Sequence, residues 1–358
     1  GGRVPHLSHG GRPVEIRSVG GVRLAGIAAC VPSGQVPNDP KVASATGIPA
    51  RRVAADGVSG FDLCLAAARR VLSDTGARPE EFGAILAVSF TQLQRMPSLA
   101  AQAQARLGFP TDILAFDVLQ ACAGWGYGLY LAALLVRETG KKVLLLDGDK
   151  QSAFLDAHDP ATAPLLSDGG TATVVERGMR DEGWGMRNEE WADWKFAFLT
   201  DGAKGDALRL EKGGTIQMDG FGVFRFVATD VVRFLKEFIG ECAAAETGLP
   251  SGGHEGHERQ EERAADFFVP HQPNVYLVRQ LAKAVGLADR VLVSADRFGN
   301  LSSASVPTTL AAHAEKLVAA REPPRVLVAG FGGGLAISAG LIDLPRDCTL
   351  SVVEPPTA

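Results

Sequence analysis

Short apolar runs and helical-period segments alternate along this chain, and then the alternation starts again, which limits the fold more than any single motif. Val22 to Ala29 and Gly83 to Phe90 read as strands with a helix, Gly60 to Thr75, between them; Lys142 to Asp147 and Thr171 to Val175 follow as further strands. After Val223 the rhythm resumes with a long helix to about Ala245. Next come a strand Asp266 to Val269, a helix Val275 to Val285, a strand Arg290 to Ser294, a helix after Asn300, and a final strand pair, Arg325 to Ala329 and Leu335 to Leu341. Alternation of this kind implies buried sheet covered by helices, an α/β fold in two similar βαβ-rich halves. With 358 residues, 46% hydrophobic and 22% charged, the chain can fill the core of two domains or of one duplicated domain.

The repeat divides the chain into a flexible lead over 1–20, an N-terminal half over 21–178 and a C-terminal half over 219–358. Between the halves, 179–218 carries Trp184, Trp191 and Trp194 among Gly, Asp and Lys, and reads as a capping excursion or a surface loop pinned by aromatics. Segment 250–263 is polar and charged, an exposed insertion. His254 and His257 lie within it, but without a second ligand pair they make a poor metal site. A net charge of −5 and the absence of a Lys/Arg stripe argue against a nucleic-acid face or a polybasic membrane patch. No apolar run reaches the roughly 18 residues of a membrane span. Five dispersed cysteines, with no Cys-x-x-Cys pair, read as reduced thiols in a cytoplasmic protein.

One of those thiols stands apart. In Asp117-Val118-Leu119-Gln120-Ala121-Cys122-Ala123-Gly124, the strand Ile113 to Leu119 gives way to the apolar run Leu129 to Val136, so Cys122 falls at or near a helix N-terminus. Free amide donors and the positive end of the helix dipole stabilise a thiolate there, which predicts a pKa lowered from about 8.5 toward neutral. The competing reading is a buried structural cysteine. His271 follows an apolar strand in Val269-Pro270-His271-Gln272-Pro273-Asn274, and strand ends of α/β sheets are where chemistry collects. Taken alone it is equally a packed histidine. Asn300, after Arg297-Phe298-Gly299, reads most simply as an N-cap. The run Gly330-Phe331-Gly332-Gly333-Gly334 can bring a backbone N–H close to a ligand, or merely turn the chain.

Further motifs accompany these: Thr46-Gly47-Ile48-Pro49-Ala50-Arg51-Arg52, Pro97-Ser98-Leu99-Ala100, Leu166-Ser167-Asp168-Gly169-Gly170 and Asn300-Leu301-Ser302-Ser303-Ala304-Ser305. In this order, from about Val22 to Leu341, the chain resembles the β-ketoacyl-acyl carrier protein synthase III family of condensing enzymes. The resemblance implies the thiolase fold, five layers in the order α-β-α-β-α, and a Cys122, His271, Asn300 triad. Cys122 would take an acyl group from a thioester. The backbone N–H groups of Cys122 and Gly333 would form an oxyanion hole, worth about 3 to 4 kcal/mol per donor. His271 and Asn300 would then hydrogen-bond the oxygen of a malonyl-type thioester as it loses CO2, and Phe331 would shield the enolate from water. Substrate contacts would include Asn274. No cofactor and no metal are implied; the partners would be an acyl thioester, a malonyl-type thioester, an acyl carrier protein and a second copy of the chain in a homodimer.

Several positions depart from the family pattern. Lys41 and Ala45 stand where many members carry a Trp and an Arg that sandwich the coenzyme A adenine, and Tyr276, with Arg279 nearly one turn on, where an Arg helps to dock the carrier. The loop before Pro97 usually inserts a residue into the partner's acyl pocket; here it is Met96, whose flexible side chain suits a donor longer than acetyl. Arg95 beside it is either a solvated rim residue or a reader of a donor carboxylate. Two other functions compete with condensation. One is acyl transfer from Cys122 to an alcohol or amine, which has no need of Asn300. The other is a silent partner subunit, which intact Cys122, His271 and Asn300 disfavour.

Overall fold

The computed structural model describes residues 14–92, 94–178, 193–247, 265–320 and 322–355. Its strands are β1 (Arg17–Val19), β2 (Val22–Cys30), β3 (Gln35–Pro37), β4 (Ala50–Arg52), β5 (Phe82–Val88), β6 (Leu114–Val118), β7 (Lys142–Asp149) and β8 (Gly169–Arg177). Then come β9 (Trp194–Thr200), β10 (Leu208–Leu210), β11 (Ile216–Met218), β12 (Phe267–Pro270), β13 (Arg325–Gly332), β14 (Ala336–Asp343) and β15 (Thr349–Val353). The principal helices are α1 (Pro40–Thr46), α2 (Gly60–Thr75), α3 (Leu99–Arg106), α4 (Gly124–Thr139), α5 (Gly220–Phe226), α6 (Val232–Thr247), α7 (Val275–Ala284) and α8 (Ser305–Ala312). One sheet runs β15-β2-β8-β7-β5-β6 and the other β1-β9-β14-β13-β12, with β3-β4 and the β10-β11 hairpin as small two-stranded sheets.

The layers follow from which face each strand residue presents. In β5, Ile85 and Ala87 pack with Leu63, Ala67 and Val71 of α2, while Ala84, Leu86 and Val88 pack with Trp125, Leu129 and Ala132 of α4. Both faces of β5 are covered, so this strand is apolar throughout and does not alternate. α4 and α8 form the middle layer, touching strands of both sheets. Beyond the second sheet, Phe234, Leu235 and Phe238 of α6 and Leu277 and Leu281 of α7 close the outer face against Phe268, Leu327 and Ala329. The order is α-β-α-β-α, the thiolase arrangement. Each fully buried Leu or Phe in these layers contributes about 1.5 to 3 kcal/mol. α4 lies close to its sheet because Gly128 has no side chain; a Cβ there would meet Leu145 Cδ1 at 2.6 Å.

Local chemistry sets the ends. α2 runs from Gly60 to Thr75: Ser59 and Asp62 form a reciprocal capping box at its start, and Gly76, at φ 65°, ends it. The long helix expected after Val223 starts at Gly220, where Asp219 accepts from Gly222 N, and is widened by a π turn over Val227–Val231 before α6. The strand expected over Arg290 to Ser294 reduces to one bridge, Phe268 to Val291. Pro270 has no N–H to extend that ladder, and the Gln272 amide takes over, donating to Leu292 O and accepting from Ser294 N.

Three boundaries also change. The expected lead over 1–20 includes β1, which pairs antiparallel with β9. The expected cap over 179–218 includes β9, a strand of the second sheet, with Trp194 buried in the core. After the final strand pair comes β15, parallel to β2. Trp184, Trp191 and the 250–263 segment, with His254 and His257, lie outside the described residues. No helix among the described residues is long and apolar enough to cross a membrane.

Candidate active site

Cys122 sits two residues before α4, inside a turn closed by Gly124 N donating to Ala121 O at 2.6 Å. The last residues of β13 lie against it. A Cβ on Gly332, whose φ is 152°, would meet Cys122 Cβ at 2.9 Å and Sγ at 3.0 Å, so only glycine fits. The expected lowering of the Cys122 pKa does not occur. Burial pushes the thiol up to about 11, against the Ser302 hydroxyl, which donates to Sγ at 3.9 Å, and the backbone N–H groups of Cys122 and Gly333, which favour the thiolate. Asp149, itself buried, adds to the rise. The resting group is therefore a thiol with two backbone donors facing its sulfur.

His271 follows β12, where its own N–H donates to Ala329 O and draws the chain toward β13. The ring is buried, and Nδ1 lies 3.0 Å from Ser302 O and 2.9 Å from Ser305 Oγ. Since a carbonyl only accepts, Nδ1 carries the proton and Nε2 keeps its lone pair. Burial pulls the His271 pKa down to about 3, with the Ser302 carbonyl opposing, so the imidazole is neutral at ordinary pH. The Phe331 ring stands edge-on to it, centroids 5.4 Å apart.

Asn300 is held by its backbone: its N–H donates to Leu165 O, and its carbonyl accepts from Ser167 N and from Gln151 Nε2 at 2.8 Å. Its side-chain Oδ1 accepts from Ser302 N at 2.9 Å, a local turn bond rather than the N-cap expected from the sequence, because the residue capping the 3-10 turn Ser302–Ala304 is Leu301. Nδ2 has no partner among the described residues. Ser302 adopts φ 56°, a conformation L-residues rarely take, and through it touches all three groups: Sγ by its hydroxyl, Nδ1 by its carbonyl, Oδ1 by its N–H.

Cys122, His271, Asn300, Phe331 and Gly333 share a cavity of about 1000 Å³. One wall comes from the segments after β5 and β6, including Phe90, Gln92, Arg95 and Leu119; the other from the β10-β11 hairpin and α5, including Leu208, Met218 and Phe224. Asn274 lines it too, though its Oδ1 is engaged as the cap of α7, accepting from Leu277 N at 2.8 Å. Met96 does not line this chain's own cavity and is 83% exposed, whereas Arg95 does line it. Tyr276, exposed, stands on the cavity wall. Sequence reasoning missed Ser302 and Ser305 as supports, although both lie inside the motif after Asn300, and it missed the hairpin and α5 wall.

Residues 116–193 match the family described as 3-oxoacyl-[acyl-carrier-protein (ACP)] synthase III, and 258–344 match its C-terminal region. The β-ketoacyl-[acyl-carrier-protein] synthase III of Ruegeria pomeroyi is 32% identical over 328 residues, 88% of this chain and 97% of that one. The 3-oxoacyl-(acyl-carrier protein) synthase of Burkholderia xenovorans superposes with a TM-score of 0.83 at 27% identity, over 96% of this chain and 99% of its own. The priming β-ketosynthase of the R1128 polyketide biosynthetic pathway does so with 0.72 at 26% identity, over 97% and 100%. The extent of these matches, and a thiolase-type arrangement that brings Cys122, His271 and Asn300 into one cavity, show that the chain belongs to the β-ketoacyl-[acyl-carrier-protein] synthase III family.

Proposed function

We propose that the protein is a decarboxylative condensing enzyme that forms acyl-Cys122 and converts it to a β-ketoacyl thioester. The observation that carries this is the meeting of Cys122, His271 and Asn300 in one cavity with the N–H groups of Cys122 and Gly333 facing the sulfur. As a donor thioester closes on Cys122, the Sγ–H proton passes to His271 Nε2, the S–acyl bond forms, and the donor thiol leaves with that proton. The two backbone N–H groups hold the tetrahedral oxyanion. A malonyl-type thioester then loses CO2, and Asn300 Nδ2 donates to the thioester oxygen that gains charge. The enolate carbon attacks the acyl-Cys122 carbonyl, releasing the β-ketoacyl thioester. The freed thiolate regains a proton from solvent by way of His271.

Asn300 favours condensation over transfer to an alcohol or amine, since its Nδ2, unpartnered among the described residues, serves an enolate that simple acyl transfer never forms. We extend the reading to a homodimer with carrier-borne substrates. β6 is an edge strand with Leu114 and Phe116 exposed, and the Met96 tip is bare of contacts from its own cavity. The test is to incubate wild type and Cys122→Ala with acyl thioesters on coenzyme A and on carrier protein, and to read intact mass before and after adding malonyl thioester. Wild type alone gains an acyl mass, and malonyl thioester discharges it as a β-keto product. An acyl mass that malonyl thioester leaves in place, but an alcohol or amine removes, overturns condensation.

A further inference from the structure

The loop between β5 and α3 carries groups that this chemistry leaves unused. Both of its ends are fixed. At the start, Asp149 Oδ1 accepts from Ser89 Oγ, Phe90 N, Thr91 N and Thr91 Oγ1 at 2.9 to 3.1 Å. At the end, Asp117 accepts from Leu99 N and Ala100 N at 2.7 and 2.9 Å. Between these anchors, Gln92 and Arg95 line the cavity that holds Cys122. Oε1 of half-buried Gln92 is closed off from solvent and unpartnered, and its Nε2 also lacks a partner among the described residues. Arg95 makes no ion pair among the described residues. Glu211, on the same cavity, lies instead 3.7 Å from Arg209.

Beside Phe90 and Leu119, this wall therefore presents two donors without an acceptor among the described residues, the exposed Arg95 guanidinium and Gln92 Nε2. A plain acyl chain offers neither of these donors an acceptor, whereas a carboxylate offers one to both. We propose that the acyl donor is a dicarboxylic monothioester, whose distal carboxylate is bound by the Arg95 guanidinium with the Gln92 amide N–H beside it. The inference rests on the reading that Cys122 takes up an acyl group. In that step the Cys122 S–acyl bond forms, the donor C–S bond breaks and the donor thiol leaves with the sulfhydryl proton. The distal carboxylate stays ionised and unchanged. Guanidinium and carboxylate match as a bidentate pair, and such charge-assisted contacts discriminate about ten- to hundredfold.

The experiment compares acylation rates of Cys122, by intact mass, for length-matched coenzyme A thioesters: succinyl, glutaryl and adipyl against butanoyl, pentanoyl and hexanoyl. At the length that fits, wild type prefers the carboxylate donor by about ten- to hundredfold. Arg95→Ala abolishes that ratio, Arg95→Glu inverts it, and Gln92→Leu reduces it. Plain donors reacting without a carboxylate preference, or Arg95→Ala slowing both series in proportion, overturns this inference and leaves condensation standing. No acyl mass at Cys122 from any donor, on coenzyme A or on carrier, overturns condensation and this inference with it.

Discussion

At Cys122 two forces oppose one another, and burial wins. The helix start, the Ser302 hydroxyl and two backbone N–H groups all favour a thiolate, yet the thiol stands at about 11. His271, pulled down to about 3 by the same burial, cannot hold a resting imidazolium beside it. The free enzyme therefore keeps its proton on sulfur and gives it up only as a substrate arrives. Alkylation of Cys122 by iodoacetamide is expected to rise about tenfold per pH unit from 7 to 10, following the thiolate fraction below a pKa near 11. Peptide mapping separates Cys122 from Cys30, Cys64, Cys242 and Cys348, all buried. An inflection near pH 6 to 7 sinks this account, since it would mark a thiolate paired with imidazolium. The sign for stability is equally definite. A histidine whose folded pKa lies below its ordinary 6.5 refuses a proton that the unfolded chain accepts, so stability falls as pH drops from about 6.5 toward 3.

At the scale of elements, β13 matters as much for what it lacks as for what it contributes. Its end packs on the nucleophile, and Gly332→Ala would drive a methyl group into Cys122 Sγ at a φ that L side chains avoid. The expected result is a loss of acylation of at least about a hundredfold, as when an oxyanion-hole donor is displaced, with a lowered melting temperature. Acylation within about threefold of wild type overturns it. The glycine run is visible in the sequence; which atom it touches is not. Elements with local signals were legible: α2 between Ser59 and Gly76, and β5 and β7 as continuous apolar runs. β1, β9 and β15 were not, because short strands owe their state to partners far along the chain. The strand at Arg290 to Ser294 failed for a reason in its neighbour, Pro270, which no reading of its own residues discloses. In the site, the motifs taken in sequence order singled out Cys122, His271 and Asn300, which line one cavity. The shared role of Ser302 and the rise at Cys122 depend on burial that only the assembled layers create.

Across the whole molecule the two halves exchange strands. β1, near the start of the described chain, joins the sheet of the C-terminal half, and β15, near its end, joins the sheet of the N-terminal half. β15 lies parallel to β2 from Thr349 opposite Gly26 to Val353 opposite Cys30, and its end accepts a bond from Val31 N at 2.9 Å. Ser351 Oγ also donates to Asp74 Oδ2 on α2 at 2.9 Å, while Leu350, Val353 and Cys348 pack into the cores on either face. Ending the chain after Arg346 uncovers β2 and removes these three apolar side chains, two of them half-buried, at a cost of about 3 kcal/mol. For a chain of 358 residues the melting temperature should fall by roughly 4 °C. Chemistry should be spared. β15 and β2 form the edge of their sheet opposite β5 and β6, whose following segments build the cavity wall near Cys122. The truncated protein, assayed well below its melting point, should acylate Cys122 at a rate close to that of the full chain. An unchanged melting temperature would show that β15 adds nothing to the sheet. A lost acylation rate in a protein still folded would show that the two edges of this sheet are coupled.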